Sequence, residues 1–346
     1  MTENQFLQEL ETALKRLPKE EQNDILQDIR EYFANGQADG KTDSEIATEL
    51  GSPQEIADEL IASFDFNQND FSNTANELTE DKFDQVDIQI DNGVLTIGPS
   101  EDGKMHADIA DKSYRQQLSV DILNRTLVIT LKEEPRKWGI FSFTGSMKSP
   151  KLDVRLPKKL YDKIQIDSDH GMITGERLDS RQLSIKTDNG RIELTQMTAG
   201  QATVESDNGD VELAQVQAKK LKVGTDNGQL QLRDIQTDEL HASTDNGAID
   251  LKDIEGNVRA KTDNGRIRLA TVDLDRTISL ETDNGAISVE TQVQAKNATI
   301  RANVDWGTVS VFGVKNRHSV FGSGENVVDL RSDNGSITVD LVNERA

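Results

Sequence analysis

The chain has 346 residues, enough for two or three ordinary domains or for one small domain joined to an extended repeat array. Its 62 acidic and 39 basic residues give a formal net charge of −23, which repels nucleic acid and anionic lipid at long range and favours cationic partners. Because the chain contains no cysteine, disulfides, thiolate metal sites and thiol nucleophiles are excluded.

The first residues, MTENQFLQELETALKRL, form an acidic amphipathic pattern that lacks the basic and apolar regions of a signal peptide. No run approaches the roughly 18 apolar residues of a membrane-spanning helix. The sequence by itself therefore predicts a soluble protein without a membrane span that is not exported by the ordinary signal-peptide route.

Residues 1–66 are predicted to form four short helices. Apolar side chains recur there at helical spacing, and they make up the expected core: Phe6, Leu7, Leu10, Leu14, Leu17, Ile25, Leu26, Ile29, Phe33, Ile46, Leu50, Ile56, Leu60, Ile61 and Phe64. Pro18 ends the first helix, and Gly36 is expected to stop the second in a left-handed conformation. Thr42 with Glu45 forms a capping box for the third helix, and Pro53 suits the first turn of the fourth. The pattern predicts a small helical bundle.

The predicted bundle is strongly acidic, with 16 acidic and 5 basic residues in its 66 positions, a net charge of −11. Such a surface favours encounters with cationic partners. Asp24, Asp28 and Glu31 on the second helix are the candidate ligand-binding residues. The apolar stripes of the first two helices are expected to offer a groove for the apolar face of a cationic amphipathic peptide. An adaptor bundle stabilised by its own core is the alternative.

Three runs of this region, LKRLPKEEQNDILQDIREYF, GKTDSEIATELGSP and QEIADEL, resemble the HAAS-type helical signalling domain of bacterial envelope-stress proteins. The resemblance covers roughly the first 64 residues and implies a signalling role. Residues 67–82 are polar and have no period, which predicts a linker.

From residue 83 onwards an Asp-x-Gly triplet recurs, with its glycine at positions 93, 171, 190, 209, 228, 247, 265, 285, 307 and 335. Apolar residues lie two and four places after each glycine and five and seven places before it, so strands of period 2 flank each Asn-Gly corner. One more core residue is expected seven places after the glycine, at Met197, Val216, Ile235, Ile254 and Val272.

An antiparallel meander would also place Asn-Gly between alternating strands. A constant period of about 19 residues instead stacks the same positions rung on rung and buries one aliphatic column. The predicted fold is therefore α+β and multidomain, with a small helical bundle followed by a long parallel β-solenoid (β-helix). Residues 83–160 are assigned to its N-terminal cap region and 161–346 to regular rungs. The solenoid ends could support an oligomer.

The corner residues are predicted to be structural: Asp188, Asn189, Gly190, Asp207, Gly209, Asp226, Gly228, Asp245 and Gly247. Short Asp, Ser or Thr side chains satisfy the backbone of such turns, and Asn-Gly supplies positive φ. A calcium ladder on the stacked aspartates is the alternative, but each rung supplies fewer oxygen ligands than calcium-binding β-rolls do. No metal and no cofactor is therefore predicted. His170 and Trp306 replace Asn in two corners.

Outward charges are expected to alternate between neighbouring rungs, with Lys186 beside Glu205, Arg191 beside Asp210, and Lys261 beside Glu281 and then Arg301. One rung departs from this, because four cations face outward around its corner: Arg259, Lys261, Arg266 and Arg268. This basic rung could hold an anionic group such as phosphate or an acidic partner surface. A solvated face paired with Asp250 and Glu281 is the alternative.

The block between the first two triplets contains EEPRKWGIFSFTGSMK, in which Trp138, Phe141 and Phe143 lie close together. A loop of this composition could enter a membrane interface or grip an amphipathic peptide. Alternatively, it caps the open end of the solenoid.

The stretch KLDVRLPKKLYDKIQIDSDHGMITGERL and the TDNG rungs after it resemble the putative-adhesin β-strand-repeat (Toastrack) family over about residues 83–342. A HAAS-like head joined to such an array is similar to the daptomycin-sensing surface proteins of the Lia envelope-stress regulon of Firmicutes. That resemblance implies display at the cell surface, binding of cationic antimicrobial peptides by the head, and control of a membrane protein of the stress system by the β-domain. It assigns no catalytic residues.

The four histidines, at 106, 170, 241 and 318, have neither metal-ligand spacing nor a nucleophile elbow nearby. Solenoids that cut polysaccharides are the natural enzyme alternative, but rungs of about 19 residues leave little chain with which to wall a groove. Together with the family resemblance, these absences lead us to expect a non-enzymatic sensor and interaction protein of the envelope-stress response. A structural surface adhesin or a cytoplasmic adaptor is the alternative.

Overall fold

The computed structural model describes residues 1–63, 82–111, 116–133 and 149–342. Contacts between residues separate a unit that contains the helices from a unit that contains most of the strands. Among the described residues, no helix combines the length and apolar character that crossing a bilayer requires.

The helical unit contains four α-helices, with a 3-10 turn over Leu14–Arg16 after the first: α1 Glu3–Ala13, α2 Lys19–Ala38, α3 Asp43–Leu50 and α4 Pro53–Ser63. The predicted capping box of Thr42 and Glu45 is present at α3, and Gly51 ends that helix with φ +86°. A second capping box, formed by Thr2 and Gln5, opens α1. Backbone N–H groups that helices leave unpaired at their starts are thereby satisfied.

The expectation that Gly36 ends α2 is wrong. The helix continues to Ala38, and the left-handed conformation occurs at Gly40, where φ is +85°. Gly36 serves the packing of α3 instead, because a Cβ there would lie 2.8 Å from Ile46 Cδ1. A small residue inside a helix lets the neighbouring helix come close.

The described residues of the β unit form 21 strands: β1 Gln85–Asn92, β2 Val94–Pro99, β3 His106–Ala110, β4 Gln116–Leu123, β5 Thr126–Glu133, β6 Lys151–Leu156, β7 Leu160–His170, β8 Ile173–Glu176, β9 Asp179–Asn189, β10 Ile192–Ser206, β11 Val211–Thr225, β12 Leu230–Asn246, β13 Ile249–Asn264, β14 Ile267–Thr271, β15 Ile278–Asn284, β16 Ile287–Thr291, β17 Ala298–Trp306, β18 Val309–Val311, β19 His318–Phe321, β20 Asn326–Asn334 and β21 Ile337–Leu341.

Most of these strands stack in parallel, which confirms the predicted β-solenoid, and β19 pairs antiparallel with β17. Ile192 of β10 pairs with Val211 of β11, and Val211 pairs with Leu230 of β12, so partners are one repeat apart along the chain. The inward positions bury a continuous aliphatic column, and outward positions are half-buried or exposed. Burial on one side of a strand of period 2 is what fixes this register.

Five successive rungs each bend at a residue in the left-handed region, at φ between 49° and 57°: Arg177, Gln196, Gln215, Asp234 and Asp253. The core residues predicted after this bend are buried at Met197, Val216, Ile235 and Ile254. The prediction for Val272 is wrong, because its residue is 51% exposed. Strand β14 ends at Thr271, and Leu274, fully buried, fills the core there.

The order of rungs in the stack differs from their order in the chain at both ends. Strand β20 pairs with β15 on one side and with β17 on the other, and β21 likewise lies between β16 and β18. The last described rung along the chain, formed by β20 and β21, is therefore inserted between the two rungs that precede it in sequence. At the other end, β1 lies between β5 and β7.

Candidate functional site

The acidic residues singled out on α2 lie on the bundle surface. Asp24 is exposed, and Asp28 and Glu31 are half-buried. Glu31 Oε1 accepts a hydrogen bond from Gln27 Nε2 at 3.1 Å. Their spacing along α2 places the three carboxylates along one side of the helix.

The expected peptide groove between the apolar stripes of α1 and α2 is wrong. These stripes pack on each other as the core of the bundle, where Phe6 and Phe33 are fully buried with ring centroids 5.6 Å apart. An isolated amphipathic stripe would be open to a ligand, but here the bundle itself removes it from water.

The negative charge of the helical head, residues 1–66, is only partly neutralised, because this segment has 16 carboxylates and five cations. One pair that does form joins Lys41 Nζ to Glu49 Oε2 at 2.8 Å, and the Tyr32 hydroxyl donates to the same carboxylate. The hydrogen bond from Lys41 lowers the pKa of Glu49 below its ordinary value. The head therefore presents a surface of excess negative charge.

Stacking of the corner glycines is the tightest feature of the solenoid. A Cβ built on Gly228 would lie 2.1 Å from the carbonyl oxygen of Gly209, and one on Gly247 would lie 1.8 Å from that of Gly228. The expectation that these corners need positive φ is wrong, because Gly190, Gly209, Gly228 and Gly247 all lie outside the left-handed region. Glycine is required here because the neighbouring backbone comes too close for any side chain.

At six corners the Ser or Thr before the aspartate points inward and ties its rung to the neighbouring rung. Thr225 Oγ1 donates to the carbonyl oxygen of Gly209 at 2.9 Å, and Thr244 Oγ1 to that of Gly228 at 3.0 Å. The same bond is made by Ser206, Thr262, Thr282 and Ser332. Buried carbonyls are thus satisfied between rungs, as buried polar groups generally are.

The corner asparagines form a continuous ladder of side-chain hydrogen bonds. Each Nδ2 donates to the Oδ1 of the neighbouring rung at 2.9 to 3.1 Å, through Asn189, Asn208, Asn227, Asn246, Asn264, Asn284 and Asn334. His170 pairs in register with Asn189, and Trp306 pairs with Asn334. The two departures from Asn-Gly therefore stand at the two ends of the ladder. The repeat of Asn in the sequence was the signal for this ladder.

The corner aspartates Asp188, Asp207, Asp226 and Asp245 are exposed beside this ladder. Within the part of the chain that the structure describes, no group of three or more His, Asp or Glu side chains is placed to hold a metal ion. That these aspartates do not bind calcium stays a prediction.

Charges between neighbouring rungs pair only in part as expected. Glu205 lies 3.1 Å from Lys186 and 2.6 Å from Lys222. Partial burial acts to raise the pKa of Glu205, but the hydrogen bonds from Lys222 and Lys186 hold it below its ordinary value. Arg191 pairs with Glu193 and Glu212 at 2.7 and 2.8 Å rather than with Asp210.

The expected position of Arg301 beside Glu281 is wrong. In the stack the neighbour of Glu281 is Arg331, and Arg301 lies one rung further out, opposite Asp329. The cause is the insertion of β20 between β15 and β17, which chain order does not reveal.

Three of the four cations of the basic rung are paired. Lys261 lies 3.1 Å from Glu281, Arg266 lies 3.4 Å from Asp250, and Arg268 donates from Nη2 to both carboxylate oxygens of Glu290 at 2.9 Å. Arg259 is exposed and forms no ion pair with a described residue. This geometry favours a paired, solvated face over an anion site, because the donors are already engaged. Trp138, Phe141 and Phe143 lie outside the described residues.

Comparison with known proteins places these features in context. Residues 5–59 match the HAAS family. The chain is 31% identical over 110 residues to the uncharacterized protein YvlB of Bacillus subtilis (strain 168), and the alignment covers 31% of this chain and 30% of that relative. The chain thus spans less than a third of the length of this curated relative.

Two solved structures are similar to the chain, each at 14% sequence identity. One is a putative adhesin from Bacteroides fragilis, with a TM-score of 0.39 over 75% of this chain and 93% of that one. The other is a putative cell adhesion protein from Clostridium sporogenes, with a TM-score of 0.20 over 77% and 96%. The match to a family is far broader, since residues 83–340 carry the Toastrack DUF4097 pattern. With its stacked Asn-Gly corners and that match over most of its length, the chain belongs to the Toastrack DUF4097 family.

Proposed function

We propose that this protein is a non-enzymatic interaction protein of the bacterial envelope-stress response, displayed at the cell surface. In this proposal the acidic head binds cationic antimicrobial peptides, and the β-solenoid contacts a membrane protein of the stress system. A structural surface adhesin and a cytoplasmic adaptor are the competing functions.

The observation that carries the proposal is the charge of the head. Its net −11 attracts cationic peptides and accelerates their encounter with the protein. Because the apolar stripes are buried in the bundle, the first contacts are electrostatic, and the carboxylates of Asp24, Asp28 and Glu31 on α2 are their candidate centre.

The solenoid suits a scaffold for protein contact. Its corners are held by the asparagine ladder, and its faces carry interlocked charges such as Glu205 between Lys186 and Lys222. A rigid extended surface of this kind is how repeat proteins bind partners.

Peptide binding is tested with the full chain and a synthetic cationic amphipathic peptide. The test variant carries Asp24→Asn, Asp28→Asn and Glu31→Gln. The control carries Asp234→Asn, Asp238→Asn and Asp253→Asn on the solenoid, which changes the net charge equally, and Asn tolerates the left-handed φ of Asp234 and Asp253. We expect affinity to fall in the test variant and to be nearly unchanged in the control.

The salt dependence of peptide affinity provides an independent test of the proposal. Affinity should fall as added salt shortens the Debye length from about 10 Å to about 3 Å. If the full chain binds no peptide at low salt, or if both variants lose affinity equally, the head is not a peptide receptor. Protease treatment of intact cells then separates surface display from a cytoplasmic adaptor.

A further inference from the structure

The outermost described rung at the Gly307 end of the stack combines exposed large apolar side chains with cations that form no ion pair with a described residue. This rung, here called the tip, comprises β17, β18, β19 and the connecting residues 312–317. Strand β19 pairs antiparallel with β17 over four residues, from Ala298 opposite Phe321 to Arg301 opposite His318. Among the described residues no strand pairs with β19 on its outer side, so the tip is the last described rung at this end of the stack.

The cations of the tip are unpaired. Arg301, Lys315 and Arg317 are exposed and form no ion pair with any residue in the described ranges. Several cations on inner rungs are engaged at 2.6 to 3.4 Å from carboxylates, among them Lys186, Lys222, Lys261, Arg266 and Arg268. Residues 298–321 contain these three cations and a single acidic residue, Asp305, in a chain whose net charge is −23.

Large apolar side chains are exposed on the same rung. Trp306 is 78% exposed, Val314 61% and Val320 55%. On the same rung Phe312 and Phe321 are half-buried and pack edge to face, with ring centroids 5.6 Å apart. Trp306 stands where the inner corners carry asparagine, so the ladder ends in an aromatic side chain and not in an amide.

The local charge of the tip determines which kind of partner can bind to this surface. Two tips brought together would repel, because each carries a local excess of positive charge. Exposed Trp and aliphatic side chains on one rung with Lys and Arg match the composition of surfaces that lie in a bilayer interface. The long-range repulsion from the rest of the chain is screened beyond a Debye length of about 8 Å at physiological salt, so local charge governs the contact.

We propose that the tip binds the headgroup region of an anionic lipid bilayer. Arg301, Lys315 and Arg317 contact lipid phosphates, and Trp306, Val314 and Val320 enter the boundary between headgroups and acyl chains. This surface is separate from the acidic head proposed above to bind peptides.

The test is co-sedimentation of the full chain with vesicles made of equal parts phosphatidylglycerol and phosphatidylcholine, beside vesicles of phosphatidylcholine alone. We expect binding to the first and little to the second. Each cation near an anionic surface contributes about a fivefold gain in binding, so Lys315→Gln with Arg317→Gln should weaken it by about 25-fold. The matched control is Lys219→Gln with Lys220→Gln, an equal charge change at two exposed lysines of an inner rung.

Fluorescence locates the contact. In a Trp138→Phe background Trp306 is the single tryptophan of the chain, and its emission should shift to the blue on adding anionic vesicles. Absence of vesicle binding, an equal loss in the Lys219 and Lys220 control, or an unchanged Trp306 emission would overturn the proposal. A dimer in sedimentation velocity that depends on Lys315 and Arg317, without vesicle binding, would overturn it in favour of a second copy. Peptide plays no part in these measurements, so this proposal and the peptide proposal fail separately.

Discussion

At the scale of single residues, the corners of the solenoid show how stacking determines sequence. The backbone of one rung passes so near the next that glycine is needed at positions such as Gly228 and Gly247. The corner aspartate, two places before the glycine, stays exposed to solvent. At corners such as those of Thr225 and Thr244, the Ser or Thr before the aspartate points inward and donates a hydrogen bond to the neighbouring rung. One short motif therefore supplies close approach, a buried hydrogen bond and a polar surface.

Replacing Gly228 by Ala should destabilise the protein by about 2 kcal/mol or more, because the new methyl group forces two backbones apart. The matched control is Gly224→Ala, four residues earlier in β11, where a Cβ would meet Ser243 Oγ at an ordinary 3.5 Å. Thermal unfolding of both variants measures the difference. Equal melting temperatures for the two would show that the glycine column is not close-packed.

The inward hydroxyl groups of the corner Ser and Thr residues predict a difference in stability between two Thr→Val variants. Thr225→Val removes the donor to Gly209 O and leaves a buried carbonyl unsatisfied, which should cost about 1 to 3 kcal/mol. Thr187 occupies the equivalent position in the corner of Asn189, at one end of the asparagine ladder. Its Oγ1 is buried but has no hydrogen-bond partner among the described residues. Thr187→Val should therefore be neutral or stabilising in denaturant unfolding. The reverse order of stability would contradict the assigned bonds.

At the scale of elements, the head depends on carboxylates that hold helix starts. Asp43 accepts from the backbone N–H of Glu3 at 3.1 Å and from Gln37 Nε2 at 2.9 Å, and these hydrogen bonds lower the pKa of Asp43. The Thr42 backbone N–H donates to Glu45 at 2.8 Å and lowers the pKa of Glu45 in the same way.

The consequence is a loss of head stability in acid. Because the folded pKa of each group lies below its unfolded value of about 4, protonation favours the unfolded state. The stabilisation is complete above that unfolded pKa and disappears as pH falls through the folded pKa. The helical circular-dichroism signal of the full chain should show a falling melting temperature as pH drops below about 4. Asp43→Asn with Glu45→Gln should flatten this dependence, and an unchanged pH profile in that variant would contradict the assignment.

At the scale of the whole molecule, the order of rungs decides which segments depend on each other. The last segment of the described chain, β20 and β21, lies inside the stack, between β15–β16 and β17–β18. Its removal takes away a partner on both sides and not just an outer layer.

Deleting residues 326–346 should therefore leave residues 298–324 without their parallel partner, and limited proteolysis should cut there. A longer deletion, of residues 298–346, ends the chain on the rung of Gly285 and should give a more resistant core, although it removes more of the protein. Mass spectrometry of the fragments reads out both. Greater resistance of the shorter deletion would mean that stack order follows chain order.

Much of this protein is determined locally and can be predicted from sequence. The capping box of Thr42 and Glu45 and the solenoid itself follow from sequence, because caps act within four residues and a constant period forces equivalent positions to stack. Asn189 and its equivalents were recognisable as corner residues by the same repetition.

Features that depend on contacts between residues far apart in the chain could be determined only from the tertiary structure. Chain order could not show that β20 inserts below β17, which moves Arg301 away from Glu281. Spacing could not tell whether the apolar stripes of α1 and α2 face a ligand or each other, since an amphipathic pattern specifies a buried face but not its partner. The role of Gly228 also needed the stack, because close approach and positive φ both select glycine, and only the position of the Gly209 carbonyl distinguishes them.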